Sequence, residues 1–139
     1  MNQGNLAFKD GGALDEHHFY IERRADQQLP SALWRGEFCY VLAPRQMGKS
    51  SLRYRVARQL SAQAVQVVTL DLTAIGGTTG SAEQWYYGLT YLTAKQVGGN
   101  ELSQKFCDFW VASASLAPVQ RFSLAMREII LGNTTGDIV

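Results

Sequence analysis

Two stretches of this chain are apolar without in-and-out alternation, and several others place apolar residues three or four apart. The first kind comprises Glu37-Phe-Cys-Tyr-Val-Leu-Ala43 and Ala64-Val-Gln-Val-Val-Thr-Leu-Asp-Leu72, both rich in β-forming types. Continuous runs of this sort predict strands buried on both faces, as in a parallel sheet. From Lys49 the pattern changes. Leu52, Val56 and Leu60 recur every four residues with Arg53, Arg55 and Arg58 between them, which predicts an amphipathic helix with the arginines on its wet face. Ser81 and Gln84 have the spacing of a capping box and open a helix carrying Trp85, Leu89 and Leu92, expected to stop near Gly98-Gly99. Glu101 to Ala112 reads as a weaker helix. Pro118 then begins another, with Phe122, Met126, Ile129 and Ile130 as its stripe. Upstream, Asp26 to Leu33 reads as a short helical stretch interrupted by Pro30, and Asp137-Ile-Val139 looks like the opening of a third strand.

Strand and helix alternate, which predicts an α/β domain with a mostly parallel sheet. Two strands and the start of a third would leave the sheet-facing stripes of the helices with too little to cover, so the chain is expected to be the front part of a longer domain. Residues 1–18, Gly- and Asn-rich at their start, read as a flexible leader, and residues 19–139 as the N-terminal portion of the domain, incomplete at its C-terminus. The chain has 139 residues, 46% of them hydrophobic and 18% charged, as expected for one globular unit. A formal charge of +1 supplies no general reason to expect nucleic acid or an anionic membrane as partner. There is no apolar run of membrane-spanning length and no basic, then apolar, secretion signal, so a cytoplasmic location is expected. Cys39 and Cys107 read as buried reduced thiols. Trp85, Tyr86, Tyr87 and Tyr91 lack an accompanying basic stripe and read as core rather than as a base-stacking platform.

Between the first apolar run and its helix lies Ala43-Pro-Arg-Gln-Met-Gly48-Lys49-Ser50. This is the phosphate-loop pattern, with Ala43 where a glycine usually begins it. Its chemistry follows from its residue types. The loop, Ala43, Pro44, Arg45, Gln46, Met47, Gly48, Lys49, Ser50 and Ser51, wraps backbone N–H groups around phosphates, and Gly48 keeps a Cβ out of the way. Lys49 supplies a compact positive charge for the outer phosphates, and the Ser50 hydroxyl is a hard oxygen ligand for Mg²⁺. The helix that starts here turns its positive dipole end to the same anion. The motif therefore predicts a P-loop NTPase fold of three layers, α/β/α, cut before its Walker B strand is complete. A catalytic carboxylate is not assigned; Asp71, after Val67-Val-Thr-Leu70, is the one candidate, and a turn or helix-capping role is its simpler reading.

Phe19-Tyr-Ile-Glu-Arg-Arg-Ala-Asp26 and Gly36-Glu-Phe-Cys-Tyr-Val-Leu-Ala-Pro-Arg-Gln-Met-Gly-Lys-Ser-Ser-Leu52 resemble the AAA-like ATPase domains of bacterial signalling proteins. These are close to the STAND class and are frequently fused to WD40 repeats. Asp71-Leu-Thr-Ala-Ile-Gly76, Glu83-Gln-Trp-Tyr86 and Pro118-Val-Gln-Arg-Phe122 look like later segments of that family in the same order. The resemblance implies ATP and Mg²⁺ as ligands, and a switch that controls an effector, a WD40-type module or a homo-oligomeric assembly. It also implies an acidic Walker B pair beyond this chain, so the parent protein would be the ATPase and this chain alone would be inactive. A nucleotide sensor without significant hydrolysis and a P-loop kinase-type transferase are the alternatives. The resemblance further sets Tyr20 and Ile21 beside the base and Arg23 near the ribose or phosphates. Composition alone would have Tyr20 and Ile21 packing under the sheet edge, with Arg23 and Arg24 solvated.

Overall fold

Ala25, Leu29 and Leu33 fall four residues apart, so the helix they build, α1 (Arg24–Trp34), carries one apolar stripe. That stripe packs on Leu52, Val56, Leu60 and Val65, of which the first three line α2 (Lys49–Ser61) and are 2%, 5% and 1% exposed. A computed structural model of the chain describes residues 20–75 and 80–139. The leader expected over 1–18, Phe19 and the Gly-rich break at 76–79 lie outside the described residues. Helix α1 runs through Pro30, where an interruption was expected. Proline deletes one hydrogen bond from a helix interior, but Pro30 is buried and the Asp26 carboxylate closes the helix start by accepting the Arg23 N–H at 2.8 Å.

The described residues form two compact units, one up to Val67 together with Val139, the other from Val68 to Ile138. The second is built on α3 (Ala82–Ala112), followed by α4 (Pro118–Ala125), a π-helical turn (Met126–Ile130) and a 3₁₀ turn (Leu131–Asn133). Ser81 and Gln84 form the expected capping box: the Gln84 N–H reaches the Ser81 hydroxyl at 3.2 Å and the Ser81 N–H reaches Gln84 Oε1 at 3.0 Å. The break expected at Gly98-Gly99 is present. Gly98 (φ −131°) and Gly99 (φ 63°, ψ −145°) leave helical geometry, and α3 folds back on itself. Its second half then sets Leu102, Phe106 and Trp110 against its first, with the Tyr87 ring 5.3 Å from Phe106 and 5.7 Å from Trp110.

The face of α3 that is buried differs from the expected line of Trp85, Leu89 and Leu92. Thr90, Thr93 and Ala94 are buried instead, while Trp85 stays 36% exposed. Threonine tolerates this because its hydroxyl bonds the preceding turn, here Thr90 to Tyr86 O and Thr93 to Leu89 O. The tyrosines are core, as expected. The Tyr87 hydroxyl lies 3.3 Å from Cys107 Sγ, and that hydrogen bond, with burial, pushes its pKa up to about 12. Both cysteines are free and half-buried rather than buried. Buried Arg121 on α4 ties α3 together from end to end, donating to Glu83 Oε1 and to the Trp110 carbonyl and lying over the Trp110 ring.

The sheet is the expectation that fails. Among the described residues the architecture is helical, without a β-sheet, so the three-layer α/β/α fold with a mostly parallel sheet is not what the chain adopts. The reason lies in how strands are held. A strand needs a neighbour to receive its N–H and C=O groups, and no ladder joins 37–43 to 64–72. Instead of being buried on both faces, Phe38 is 95% and Leu42 85% exposed. In the second run the side-chain amide of Gln96 takes a strand's place, receiving the Thr69 N–H at 3.0 Å and donating to the Thr69 carbonyl at 2.9 Å. The expected third strand contributes one bond, from the Val139 N–H to the Gln66 carbonyl at 2.9 Å. No helix among the described residues is long and apolar enough to cross a membrane.

The fold-back of α3 has a diagnostic substitution. In a regular helix Gly→Ala stabilises by about 0.5–1 kcal/mol, whereas at the φ and ψ of Gly99 an L side chain is strained by roughly 1–3 kcal/mol. Gly99→Ala is therefore expected to lower the urea midpoint, and a raised midpoint would show that α3 is straight.

Candidate functional site

Residues 43–51 form a turn that leads directly into α2. Gln46 (φ 61°) and Gly48 (φ 72°) both adopt left-handed backbone geometry, and Gly48 is the residue from which α2 starts. Glycine suits that position twice over. It accepts the positive φ without strain, and a Cβ there would sit 3.3 Å from an Arg23 guanidinium nitrogen.

The carbonyls of this turn are held by cations. The Lys49 ammonium donates to the carbonyls of Ala43 at 2.7 Å and Pro44 at 2.6 Å. Arg23 Nη1 donates to the Met47 carbonyl at 2.7 Å and Nη2 to that of Gly48 at 3.3 Å. A trans peptide sets its C=O and N–H on opposite sides, and the chain has no cis bonds. With the Met47 carbonyl drawn to Arg23, and that of Gly48 shared between Arg23 and the Leu52 N–H of α2 at 3.0 Å, the N–H groups of Gly48 and Lys49 face the other way. Those N–H groups adjoin the open first turn of α2, whose own N–H groups have no partner within the helix. Ser50 is exposed on that turn, whereas Ser51 is buried.

Arg23 is itself held. Its Nη2 donates to the Tyr20 hydroxyl at 2.8 Å, and Tyr20 donates to Asp26 Oδ1 at 2.7 Å. Arg55 of α2 approaches the same carboxylate, with Nε 3.6 Å from Asp26 Oδ1, pairs with Glu22 at 3.0 Å and lies 4.3 Å over the Tyr20 ring. Burial alone would raise the pKa of Asp26. The hydrogen bonds from Tyr20 and the Arg23 N–H, with both guanidiniums, outweigh it and keep the carboxyl below the usual carboxylate range. Burial, then the bond to Asp26, pushes the Tyr20 hydroxyl up. Beside this network α1 and α2 enclose a cleft of about 610 Å³, lined by Tyr20, Asp26, Tyr54, Arg55 and Gln59 among others.

Residues 8–139 match the AAA-like domain family. The chain belongs to that family. Over 132 residues, 94% of its length, this AAA-like domain is 36% identical to an uncharacterized WD repeat-containing protein of Synechocystis sp., and it spans 11% of that relative. No solved structure matches the chain.

In this AAA-like domain Arg23 lies on the loop carbonyls and Tyr20 on Arg23 and Asp26, while Ile21, which the resemblance set beside the base, is 71% exposed. Asp71 is occupied in a turn of its own, where Oδ1 receives the Thr73 N–H at 3.0 Å and the Thr73 hydroxyl at 2.6 Å. That is the turn role read as its simpler one. Asp26 and Arg55 are the members of this network that the sequence does not single out. A signal for Asp26 was present, since an acid at the third position of a helix is well placed to bond back to the residue before it. The spacing of Arg55 matches that of Arg53 and Arg58 on the wet face, and nothing local marks it as paired. The net charge of +1 also concealed an asymmetry. Between residues 20 and 67, Arg23, Arg24, Arg35, Arg45, Lys49, Arg53, Arg55 and Arg58 stand against Glu22, Asp26 and Glu37. The loop sits in the cation-rich unit.

Because the pKa of Asp26 is lower in the folded chain, its stabilisation is complete above the unfolded carboxylate value of about 4 and fades as pH falls through the folded one. Asp26→Asn is expected to lose about 1–3 kcal/mol at pH 7, with the gap from wild type closing at low pH. Guanidinium unfolding across the acid range checks this; parallel curves would contradict it.

Proposed function

We propose that this AAA-like domain binds the polyphosphate of Mg·ATP through residues 43–51, as the nucleotide-responsive part of a switch protein that also carries WD repeats. The observation that carries the reading is the orientation of the loop. The Met47 carbonyl is drawn onto Arg23 and that of Gly48 onto Arg23 and the Leu52 N–H, which turns the N–H groups of Gly48 and Lys49 to the opposite side, where the reading sets the phosphates. Membership of the family and the WD repeats named in the Synechocystis relative support the wider setting.

The donors present suit the group. An ammonium has three protons, and Lys49 uses two on its own loop, leaving one for a phosphate oxygen. Gly48 takes the positive φ of the turn, and a Cβ there would crowd the Arg23 guanidinium that holds the Met47 carbonyl. Ser50, exposed on the first turn of α2, has the hydroxyl that Mg²⁺ prefers. The helix start adds its dipole to the same charge. Bound Mg·ATP would supply a transferable phosphoryl group; what this chain's residues do is bind and orient it. Asp71, engaged by Thr73, is not assigned a part in hydrolysis.

The test is calorimetric titration of the intact protein with Mg·ATP. Saturable uptake is expected, weakened roughly 10- to 100-fold by Lys49→Ala, the worth of one or two charge-assisted hydrogen bonds. Ser50→Ala is expected to keep nucleotide uptake but lose most of its dependence on Mg²⁺. Equal uptake by wild type and Lys49→Ala would remove the proposal.

A further inference from the structure

The loop carbonyls are held by the long, flexible side chain of Arg23, whose own position must be set by something else. An arginine side chain loses considerable rotamer freedom when it is fixed, and that of Arg23 is 40% exposed, so packing does not confine it. The Asp26 side chain, by contrast, is 7% exposed. It receives the Arg23 N–H on Oδ2 and the Tyr20 hydroxyl on Oδ1, and that same hydroxyl accepts from Arg23 Nη2. One buried carboxylate thus grips Arg23 at both ends, at its backbone and at its guanidinium, there weakly through the Nε–Oδ2 pair at 3.8 Å and by hydrogen bonds through Tyr20. Arg55 closes the arrangement from α2, the helix that the loop opens, by pairing with Asp26 and covering the Tyr20 ring.

We infer that Asp26 is a positioning residue for the phosphate loop, acting through Tyr20 to hold the Arg23 guanidinium on the carbonyls of Met47 and Gly48. The inference rests on the nucleotide reading above. By this means α1 and the loop become one preorganised unit, and the N–H groups are aimed before the anion arrives. Asp26 touches no ligand in this scheme. Its effect on binding exists only while the Arg23 side chain is there to be placed.

That last condition separates positioning from helix capping. Arg23→Ala keeps the backbone N–H that Asp26 caps and deletes the guanidinium, so a cap would act equally in both backgrounds, whereas a positioning residue would not. The experiment measures Mg·ATP affinity of the intact protein for wild type, Arg23→Ala, Asp26→Asn and the double variant. Tyr20→Phe, which loses one hydroxyl and keeps the ring, is carried alone and with Arg23→Ala in case Asp26→Asn fails to fold. Asp26→Asn and Tyr20→Phe are each expected to weaken binding roughly tenfold, about one charge-assisted hydrogen bond. Neither is expected to weaken it further once Arg23 is Ala. Lys49→Ala is run beside them. If Lys49→Ala weakens uptake as expected above while Asp26→Asn and Tyr20→Phe bind as wild type does, or lose the same factor with and without the Arg23 side chain, the positioning role is wrong and the nucleotide site stands. If Lys49→Ala binds like wild type, the site itself is wrong and this inference goes with it.

Discussion

A loop that offers its N–H groups to an anion must first dispose of its carbonyls, because the rigid peptide links the two. In this protein that is done with two cations. Lys49 gathers the carbonyls at the start of the turn and Arg23 those at its end. Neither interaction is strong by itself at an exposed site. Their value is directional: Arg23 on the Met47 carbonyl turns the Gly48 N–H the other way, while Lys49 ties the start of the turn to the start of α2. The left-handed geometry at Gly48 belongs to the same constraint, since the turn must reverse before α2 can begin.

The support beneath the loop shows how a small apolar core and a polar network divide the work. Leu52, Val56 and Leu60 fasten α2 to α1 without regard to rotation by a few degrees. The bonds among Tyr20, Arg23, Asp26 and Arg55 have strict distance and angle requirements and define the alignment that hydrophobic contact leaves open. A buried carboxylate is costly to desolvate, and the fall in the pKa of Asp26 shows that its partners more than compensate. The second unit uses the same division: Phe106 and Trp110 fill the space inside the α3 fold-back, and Arg121 fixes its ends.

Helices were the legible part of the chain, because a helix satisfies its backbone within itself and its pattern is local. The α2 stripe, the Ser81–Gln84 box, the glycine break in α3 and the N-terminal place of Pro118 could all be read directly. Pro30 misled, since its cost is weighed against packing that no local pattern reports. So did Thr90 and Thr93, which look polar but spend their hydroxyls on their own helix. The Ala43–Ser50 motif was legible for a different reason: it is a pattern of residue types at consecutive positions. Asp26 and Arg55 were not, because their meaning lies in a meeting between two helices 29 residues apart in sequence.

Sequence by itself determined which segments coil and where the Gly48-Lys49-Ser50 turn leads into α2, because both follow from contacts within a few residues. It did not determine whether the two apolar runs would become strands. A strand is a relation between segments, and here Phe38 and Leu42 stand in solvent while Gln96 takes the hydrogen bonds of Thr69. Tertiary structure also decided that the loop rests on Arg23 and that Arg23 rests on Asp26. Those contacts exist only once α1 and α2 have packed, since a guanidinium and a carboxylate have no preferred partner until the fold supplies one.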